Sequence, residues 1–389
     1  VTRADRRHDI AVIGTGAAGA AAALALAHAG FSVALIGPPP PRADGRTIAL
    51  LGPSWRMMEE WGVARALMAE VAPLCVMRIV DDTGSLFRQP PVEFRAAEMG
   101  IDAFGWNVEA TLLVTALAAA ARAHPAIAVI PEIVTALHAD RDGWRAMTAQ
   151  GAVAAGLIVG ADGRNSIVRK AAGIEARAWS YPQAALTGIL SHARDHRDVS
   201  TEFHTRAGPC TLVPLPGRRS SLVWMTAPDE GERLKSLDDQ ALALAVERQT
   251  HAILGRMAMD GPRGLVPMSG MAVAGFSAPG LALVGEAAHV FPPIGAQGLN
   301  LGFRDIADLV TAVSKAREAG RAIGAPETMA AYDRSRRLDV KTRTMAVDTM
   351  NRSLLSALLP VDFARGLGLV ALANIGPLRR LAMRQGLGA

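Results

Sequence analysis

Residues 10–19 read Ile10-Ala11-Val12-Ile13-Gly14-Thr15-Gly16-Ala17-Ala18-Gly19. Four apolar residues run straight into a glycine turn, and an alanine-rich stretch follows as far as His28. Phe31-Ser32-Val33-Ala34-Leu35-Ile36 then reads as a second strand, ended abruptly by Gly37 and four prolines. Strand, glycine turn, helix and strand make the βαβ start of a dinucleotide-binding fold. In such a turn Gly14 permits the sharp reversal, Gly16 lets backbone approach a pyrophosphate, and Gly19 lets the helix pack closely on the sheet. The helix opening at Ala17 offers free N–H groups and a dipole that stabilise phosphate charge. No Asp, Glu, Lys or Arg occurs from Ile10 to Pro41. The glycines and prolines argue against a membrane helix there, and a buried strand–turn–helix–strand unit accounts for the missing charge.

Two further glycine segments follow buried apolar runs. Leu157-Ile158-Val159 leads into Gly160-Ala161-Asp162-Gly163-Arg164-Asn165-Ser166, and Leu281-Ala282-Leu283-Val284 leads into Gly285-Glu286-Ala287-Ala288-His289. Pro293 and Gln297-Gly298-Leu299-Asn300 come next. One glycine turn alone says only that a nucleotide binds, whereas the three in this order narrow the reading to an FAD site. Asp162 either meets the cofactor or caps the turn after it, since Asp-Gly is a common turn pair. Glu286 stands at a comparable strand end, where a carboxylate accepts from ribityl hydroxyls. Gly298, Leu299 and Asn300 are expected to begin a helix whose N–H groups stabilise negative charge on a reduced flavin. His289 is expected to bond within its own loop rather than act as a base. Arg46 either supplies charge to the pyrophosphate or flavin edge, or is an ordinary exposed arginine. One expected group is missing. The acid that closes the second strand and binds ribose has no counterpart at Ile36-Gly37-Pro38, and Asp44 lies beyond the prolines.

The rest of the chain alternates helix and strand signals. Residues 53–70 and about 109–123 read as helices, the former with Trp55, Met58, Trp61 and Leu67 along its core side. Short strands are expected within 74–104, near 127–138 and 144–149, and at 186–190, 210–213 and 221–225. A helix is expected around 237–253, and 298–389 reads as mostly helical. The nucleotide-binding pieces are thus interrupted by a β-rich insertion, which implies two interleaved domains rather than two in tandem. The fold class is α/β: a Rossmann-like domain interleaved with a β-sheet domain, plus a helical C-terminal region.

Composition excludes several classes. Half of the 389 residues are apolar and no segment is of low complexity, so disorder is not expected. The two cysteines, Cys75 and Cys210, form no CxxC pair and no zinc set. There is no Ser/His/Asp set, no HExxH and no metal-ligand cluster. The net charge is +5, and residues 311–389 carry thirteen Lys/Arg against six Asp/Glu. A solvated helical surface explains that excess, and attraction to anionic lipid is the sharper alternative. Nucleic-acid binding is not supported, because the basic residues are not interleaved with stacking aromatics.

Taken together these segments resemble the class A flavoprotein monooxygenases, which share the para-hydroxybenzoate hydroxylase fold. The likeness is greatest to the UbiH/UbiF type of ubiquinone-biosynthesis hydroxylase. It is carried by Gly285 to His289, Pro293, Ala296 to Asn300, Leu301-Gly302 and Arg304-Asp305. Asp44 to Leu50, Glu60 to Val63, Gly160 to Ser166 with Val168-Arg169, and Pro214 to Gly217 add to it. Three positions depart from the pattern. Glu286 replaces an aspartate, Ala296 replaces a glycine, and Pro292 stands where a histidine is common.

The resemblance implies FAD reduced by NADH or NADPH, oxygen adding at flavin C4a as a hydroperoxide, and hydroxylation of an electron-rich phenol. It places Gly14, Gly16, Ala17, Gly19, Arg46, Val134, Asp162, Glu286, Pro293, Gln297, Gly298, Leu299 and Asn300 at the cofactor, and assigns no catalytic residue. It divides the chain into FAD-binding segments at 1–80, 106–175 and 279–345, substrate-domain segments at 81–105 and 176–278, and a helical region at 346–389. The implied substrate is a hydrophobic polyprenyl phenol or quinone precursor, with dioxygen as co-substrate and other ubiquinone-biosynthesis proteins as candidate partners. The implied location is cytoplasmic, with peripheral contact to the inner membrane left open. Two other readings stay open: a hydroxylase of a small soluble aromatic acid, and a non-catalytic FAD-binding subunit of a biosynthetic complex. A flavin-dependent reductase of isoprenoid lipids is a further option. The absence of a second GxGxxG and of CxxC disfavours a disulfide-reductase type of flavoenzyme.

Overall fold

The strand Arg7–Ile13 sits in the middle of an eight-stranded sheet. The computed structural model describes residues 7–39, 45–84, 90–291, 297–355 and 375–387. Val33–Ile36 pairs parallel with one edge of the central strand, and Gly151–Gly160 with the other. Ile127–Ile130 and Leu281–Leu283 extend the parallel core outward on the two sides. The antiparallel hairpin Ala136–Asp140 and Gly143–Thr148 continues from Gly151–Gly160. Parallel strands covered on both faces must be apolar at every position, which is why these runs lack the alternation of a half-exposed strand. Ile10, Ala11, Val12, Leu157, Ile158 and Val159 are all fully buried.

The helix Ala17–His28 is buried from Gly19 through Ala27. It lies on the sheet and packs against the helices Ala110–Ala123 and Gln297–Glu318. Alanine on every side is the sequence consequence, because larger side chains would hold the neighbours apart. Arg317 closes the helix by donating to the carbonyls of Ala29 (2.6 Å) and Gly30 (3.1 Å). Its guanidinium also lies 4.0 Å from the centre of the Phe31 ring. A cation at a helix C-terminus meets carbonyls that have no intrahelical partner.

A second, nine-stranded sheet is assembled from distant parts of the chain: 76–95, 176–273 and 289–290. The strand Val76–Asp81 runs across the expected boundary at residue 81. Its long strand Ala176–His192 pairs with Arg219–Thr226 and with Gly264–Val273. One face is covered by the helices Pro228–Ser236 and Asp239–Gln249 over Leu186, Phe203, Cys210, Leu212 and Leu222. Burial pushes the Cys210 thiol far up, so it is inert packing. The opposite face meets a small sheet of Thr47–Leu51, Ala72–Pro73 and Gly105–Glu109. Thr47 Oγ1 donates to Ser221 Oγ (2.8 Å), and Asn107 Nδ2 donates to the Pro214 carbonyl (2.8 Å).

Several elements differ from expectation. The helix expected over 53–70 is two helices, Gly52–Glu60 and Val63–Leu67, because Gly62 takes a left-handed conformation at φ 72°. The strand expected near 127–138 is two strands joined by an irregular link. The strands Val199–Thr205 and Gly264–Val273 and the helix Pro228–Ser236 carried no signal that the sequence reading used. C-terminal helices span Pro326–Leu355 and Gly376–Leu387.

The helix Pro326–Leu355 is fastened to the first domain by buried charge. Asp305, with no exposed surface, accepts from Gly285 N (2.9 Å), His289 Nε2 (2.7 Å) and Arg336 Nε (2.7 Å). Arg336 also pairs with Asp308 and Asp339, each at 2.9 Å. Burial alone would lower the Arg336 pKa, but Asp305 and Asp308 outweigh it and raise it, so the guanidinium stays charged. Removing one member of such a group leaves a buried charge without compensation. We therefore expect Arg336→Met to destabilise the fold by about 3–5 kcal/mol, read as a lower urea midpoint with an unchanged slope.

Candidate flavin site and substrate face

The first two glycine segments meet backbone to backbone. Gly14 N–H donates to Ile36 O and Ala161 N–H donates to Ile13 O, both at 2.8 Å. Gly14 sits at φ 113°, and a β-carbon there would come within 2.2 Å of the Ala161 carbonyl oxygen. One at Gly19 would come within 1.8 Å of the Gly14 oxygen. Gly16 differs, for a β-carbon there would have no protein atom within 4 Å. The third segment joins them through Gly285, where a β-carbon would lie 3.1 Å from that of Ala18.

A cavity of about 310 Å³ opens over this turn, lined by Gly14, Thr15, Gly16, Pro38, Val134 and Asp162 among others. Of the two roles open to Asp162, the cap is the one seen. Its Oδ2 caps the helix Ile167–Ala171, accepting from Ile167 N (2.7 Å) and Val168 N (3.3 Å). Its Oδ1 is buried without a hydrogen-bond partner. Open space above Gly16, the helix N-terminus at Ala17 and this uncompensated oxygen fit a dinucleotide whose diphosphate lies over the turn. The missing ribose acid stays missing: among the described residues lining the cavity, Asp162 is the sole carboxylate. Beside Gly37, the Thr15 hydroxyl donates to the Pro38 carbonyl. Ile133, two-thirds exposed, stands at the same mouth with Val134.

Arg164, in the second glycine segment, bridges it to the third. Its Nε donates to Glu286 Oε2 at 3.3 Å and its Nη1 to Ser269 Oγ at 2.9 Å on the second sheet. Glu286 is exposed apart from that contact. His289 does not bond within its own loop: its partner is Asp305, on the following helix. The carboxylate there is already fixed by Gly285 N–H and Arg336, so it orients the imidazole from outside the loop. The helix Gln297–Glu318 begins where Gly298 and Leu299 were expected to expose N–H groups, since a first helical turn has no intrahelical acceptors for them. The Asn300 side chain is used inside the fold, with Oδ1 accepting from Leu51 N (2.9 Å) and Nδ2 donating to Ala49 O (2.8 Å). Arg46 is exposed at the start of Thr47–Leu51, and its carbonyl accepts from Ala110 N at 3.0 Å. Pro293 lies outside the described residues, as does the Gln297 side chain.

The face of the second sheet turned away from its helices carries an apolar patch. Ala185, Met225 and Met268 are buried there, with Tyr181, Val223 and Val266 packed against them. Strand alternation puts these residues on the same face as Ser221, the residue that meets Thr47. Arg219 lies on that face too, but it is paired with Glu109 (3.1 Å) and Asp260 (2.6 Å).

Gly16→Val is expected to fold with an unchanged melting temperature yet purify without flavin, because a β-carbon there meets no protein atom within 4 Å and the side chain takes the diphosphate's place. Gly14→Ala should instead lower the melting temperature, since both its backbone conformation and its space are denied. A yellow, stoichiometrically flavinylated Gly16→Val protein would falsify this assignment. Glu286→Ala removes an exposed ion pair worth at most about 1 kcal/mol, so the melting temperature of the flavin-free protein should stay put while FAD affinity, measured by fluorescence titration, falls.

Residues 7–347 match the family described as FAD binding domain. Over 99% of its length the chain is 36% identical to the ubiquinone hydroxylase UbiL of Rhodospirillum rubrum, covering 90% of that protein. It is 32% identical to the 3-demethoxyubiquinol 3-hydroxylase of Escherichia coli, with 98% of each chain covered. The structure superposes on the p-nitrophenol 4-monooxygenase PnpA of Pseudomonas putida with a TM-score of 0.78 at 16% identity, covering 97% of this chain and 98% of that one. Klebsiella pneumoniae HpxO, solved with FAD and uric acid, gives 0.74 at 17% identity, with 97% and 96% covered. These two likenesses bear on the fold alone. The glycine turn, the diphosphate cradle and the full-length sequence kinship converge: the chain belongs to the FAD binding domain family, and it is an FAD-dependent monooxygenase.

Proposed function

We propose that this monooxygenase hydroxylates the aromatic ring of a polyprenyl phenol or quinone precursor in ubiquinone biosynthesis, with NADH or NADPH as reductant. The observation that carries the reading is the near full-length kinship to two proteins named as hydroxylases of that pathway. Ring C–H, dioxygen, reduced nicotinamide and a proton give ring C–OH, water and oxidised nicotinamide. Bound FAD supplies the two-electron passage from nicotinamide to oxygen. The protein's own part is to hold the diphosphate over Gly16, balance charge at the Gln297 helix N-terminus, and offer an apolar wall to the substrate.

The wall favours a prenylated ring over a small aromatic acid. An acid needs a cation, and the arginine on this face, Arg219, is already shared by two carboxylates. Val223, Val266 and Tyr181, the partly exposed members of the patch, instead match a hydrocarbon tail. A lipid-soluble substrate also goes with peripheral contact to an anionic membrane. The helix Gly376–Leu387 contains three arginines and no acid, and it exposes Arg380, Leu381 and Arg384. Among the described residues no helix is long and apolar enough to cross a membrane.

The test is reduced-nicotinamide consumption by the FAD-loaded protein in air, with product identified by mass. A short-chain prenyl phenol should accelerate consumption and gain one oxygen atom, while a hydroxybenzoic acid should do neither. Turnover of the acid alone would transfer the assignment to the small-acid hydroxylases. Flavin that ignores both would make this an FAD-carrying subunit.

A further inference from the structure

The strand Val199–Thr205 places Phe203 among the helices on the covered face of the second sheet, so its neighbours Glu202 and His204 point to the other side. Register confirms the side. Glu202 pairs with Thr211, and Thr211 pairs with Val223 of the apolar wall. Ile79 lies beyond Glu202 on the neighbouring parallel strand. Val223, Thr211, Glu202 and Ile79 form a stripe across the sheet whose members are all only partly buried. The adjoining row meets the small sheet at Ser221, and the row through Ala185 and Met225 is closed by packing. The stripe is thus the accessible floor between two rows that are more buried toward the middle of the sheet.

Glu202 is the carboxylate on that floor, and it is held. His204 Nε2 donates to Oε1 at 2.7 Å and Thr211 Oγ1 donates to Oε2 at 3.4 Å. The His204 side chain is 7% exposed against 21% for Glu202, so the imidazole stands behind the carboxylate. With its Nε2 proton directed at Glu202, His204 keeps a buried Nδ1 that has no hydrogen-bond partner. The other charged groups that strand alternation puts on this face are committed elsewhere: Asp81 to Thr83 at 2.7 Å, and Arg219 to Glu109 and Asp260. A partly exposed carboxylate fixed by two donors keeps lone pairs with which to accept a further hydrogen bond.

Resting on the hydroxylase reading above, we propose that Glu202 is the group that accepts the proton of the substrate's ring hydroxyl, with His204 and Thr211 as its positioning residues. The phenol O–H bond breaks and an O–H bond forms on the Glu202 carboxylate. The electron pair left on the phenolic oxygen enriches the ring carbons ortho and para to it, which are the ones attacked by an electrophilic oxygen. No electrons change hands in this step, and the proton returns when the product hydroxyl re-forms. The neighbouring Val223 offers an apolar surface to the ring's substituent beside the carboxylate.

The experiment compares wild type with Glu202→Gln and His204→Asn as FAD-loaded proteins, using a short-chain prenyl phenol and its ring-fluorinated, more acidic form. Flavin content should hold within about twofold, since neither residue lines the cavity over the glycine turn. Hydroxylated product per nicotinamide should fall by about 10²-fold in Glu202→Gln, with hydrogen peroxide making up the difference. His204→Asn should fall less and recover at saturating substrate. The fluorinated phenol, which ionises with less help, should restore most of the loss in Glu202→Gln, an effect that a merely structural role would not produce. Unchanged product yield, or a loss of equal size for both phenols, would overturn the assignment. A wild-type protein that forms no hydroxylated product from either phenol would overturn the hydroxylase reading itself.

Discussion

The close approach of Gly19 to the carbonyl of Gly14 is the constraint on which the first domain depends. There is no room for a β-carbon between the helix Ala17–His28 and the turn that feeds it. That intimacy brings the helix N-terminus over the end of the central strand, where unpaired N–H groups face the cavity. It also demands small residues along the whole helix, which is why alanine dominates from Ala20 to Ala27. The cost is little side-chain area to bury, and the helices Ala110–Ala123 and Gln297–Glu318 offset it by packing on the same element.

A second constraint is electrostatic. Asp305 gathers donors from the third glycine segment and from the helix Pro326–Leu355, so a local flavin motif and a distant helix are oriented by one carboxylate. Buried ion pairs contribute little net stability compared with apolar packing, but they discriminate strongly against wrong arrangements. Here the arrangement under control is the angle at which Gly285 and His289 leave the sheet. The Arg-Asp pair that follows the Gln297 helix start thus has a structural use. Arg304 pairs with Asp339, and Asp305 pairs with Arg336.

What could be read from the sequence was local. The βαβ unit declared itself because a buried parallel strand, a glycine turn and an alanine helix each leave a mark within a few residues. Of the two alternatives for Asp162, the cap is made by Oδ2, while Oδ1 is buried without a hydrogen-bond partner. The strand Val199–Thr205 escaped notice because its polar residues fall on both faces, with Thr201 beside Phe203 and Ser200, Glu202 and His204 opposite, so no apolar alternation marks it. Gly264–Val273 was hidden by its glycines and Pro267, residues that ordinarily argue against a strand. Partners such as Asp305 for His289, or Ala49 and Leu51 for Asn300, are tertiary facts with no trace in local pattern.

The Asn300 clasp has a consequence for how the molecule comes into being. Its two hydrogen bonds join positions about 250 residues apart, at the start of one helix and along the strand Thr47–Leu51. Contacts of such sequence separation form late, because the loop they close must first lose its freedom. A chain emerging from the ribosome completes its glycine turn early, but it cannot close the clasp until the third glycine segment has been made. The apolar wall and the diphosphate cradle are therefore exposed together during synthesis. Prompt capture of FAD after release would shorten the interval in which that surface is open to aggregation.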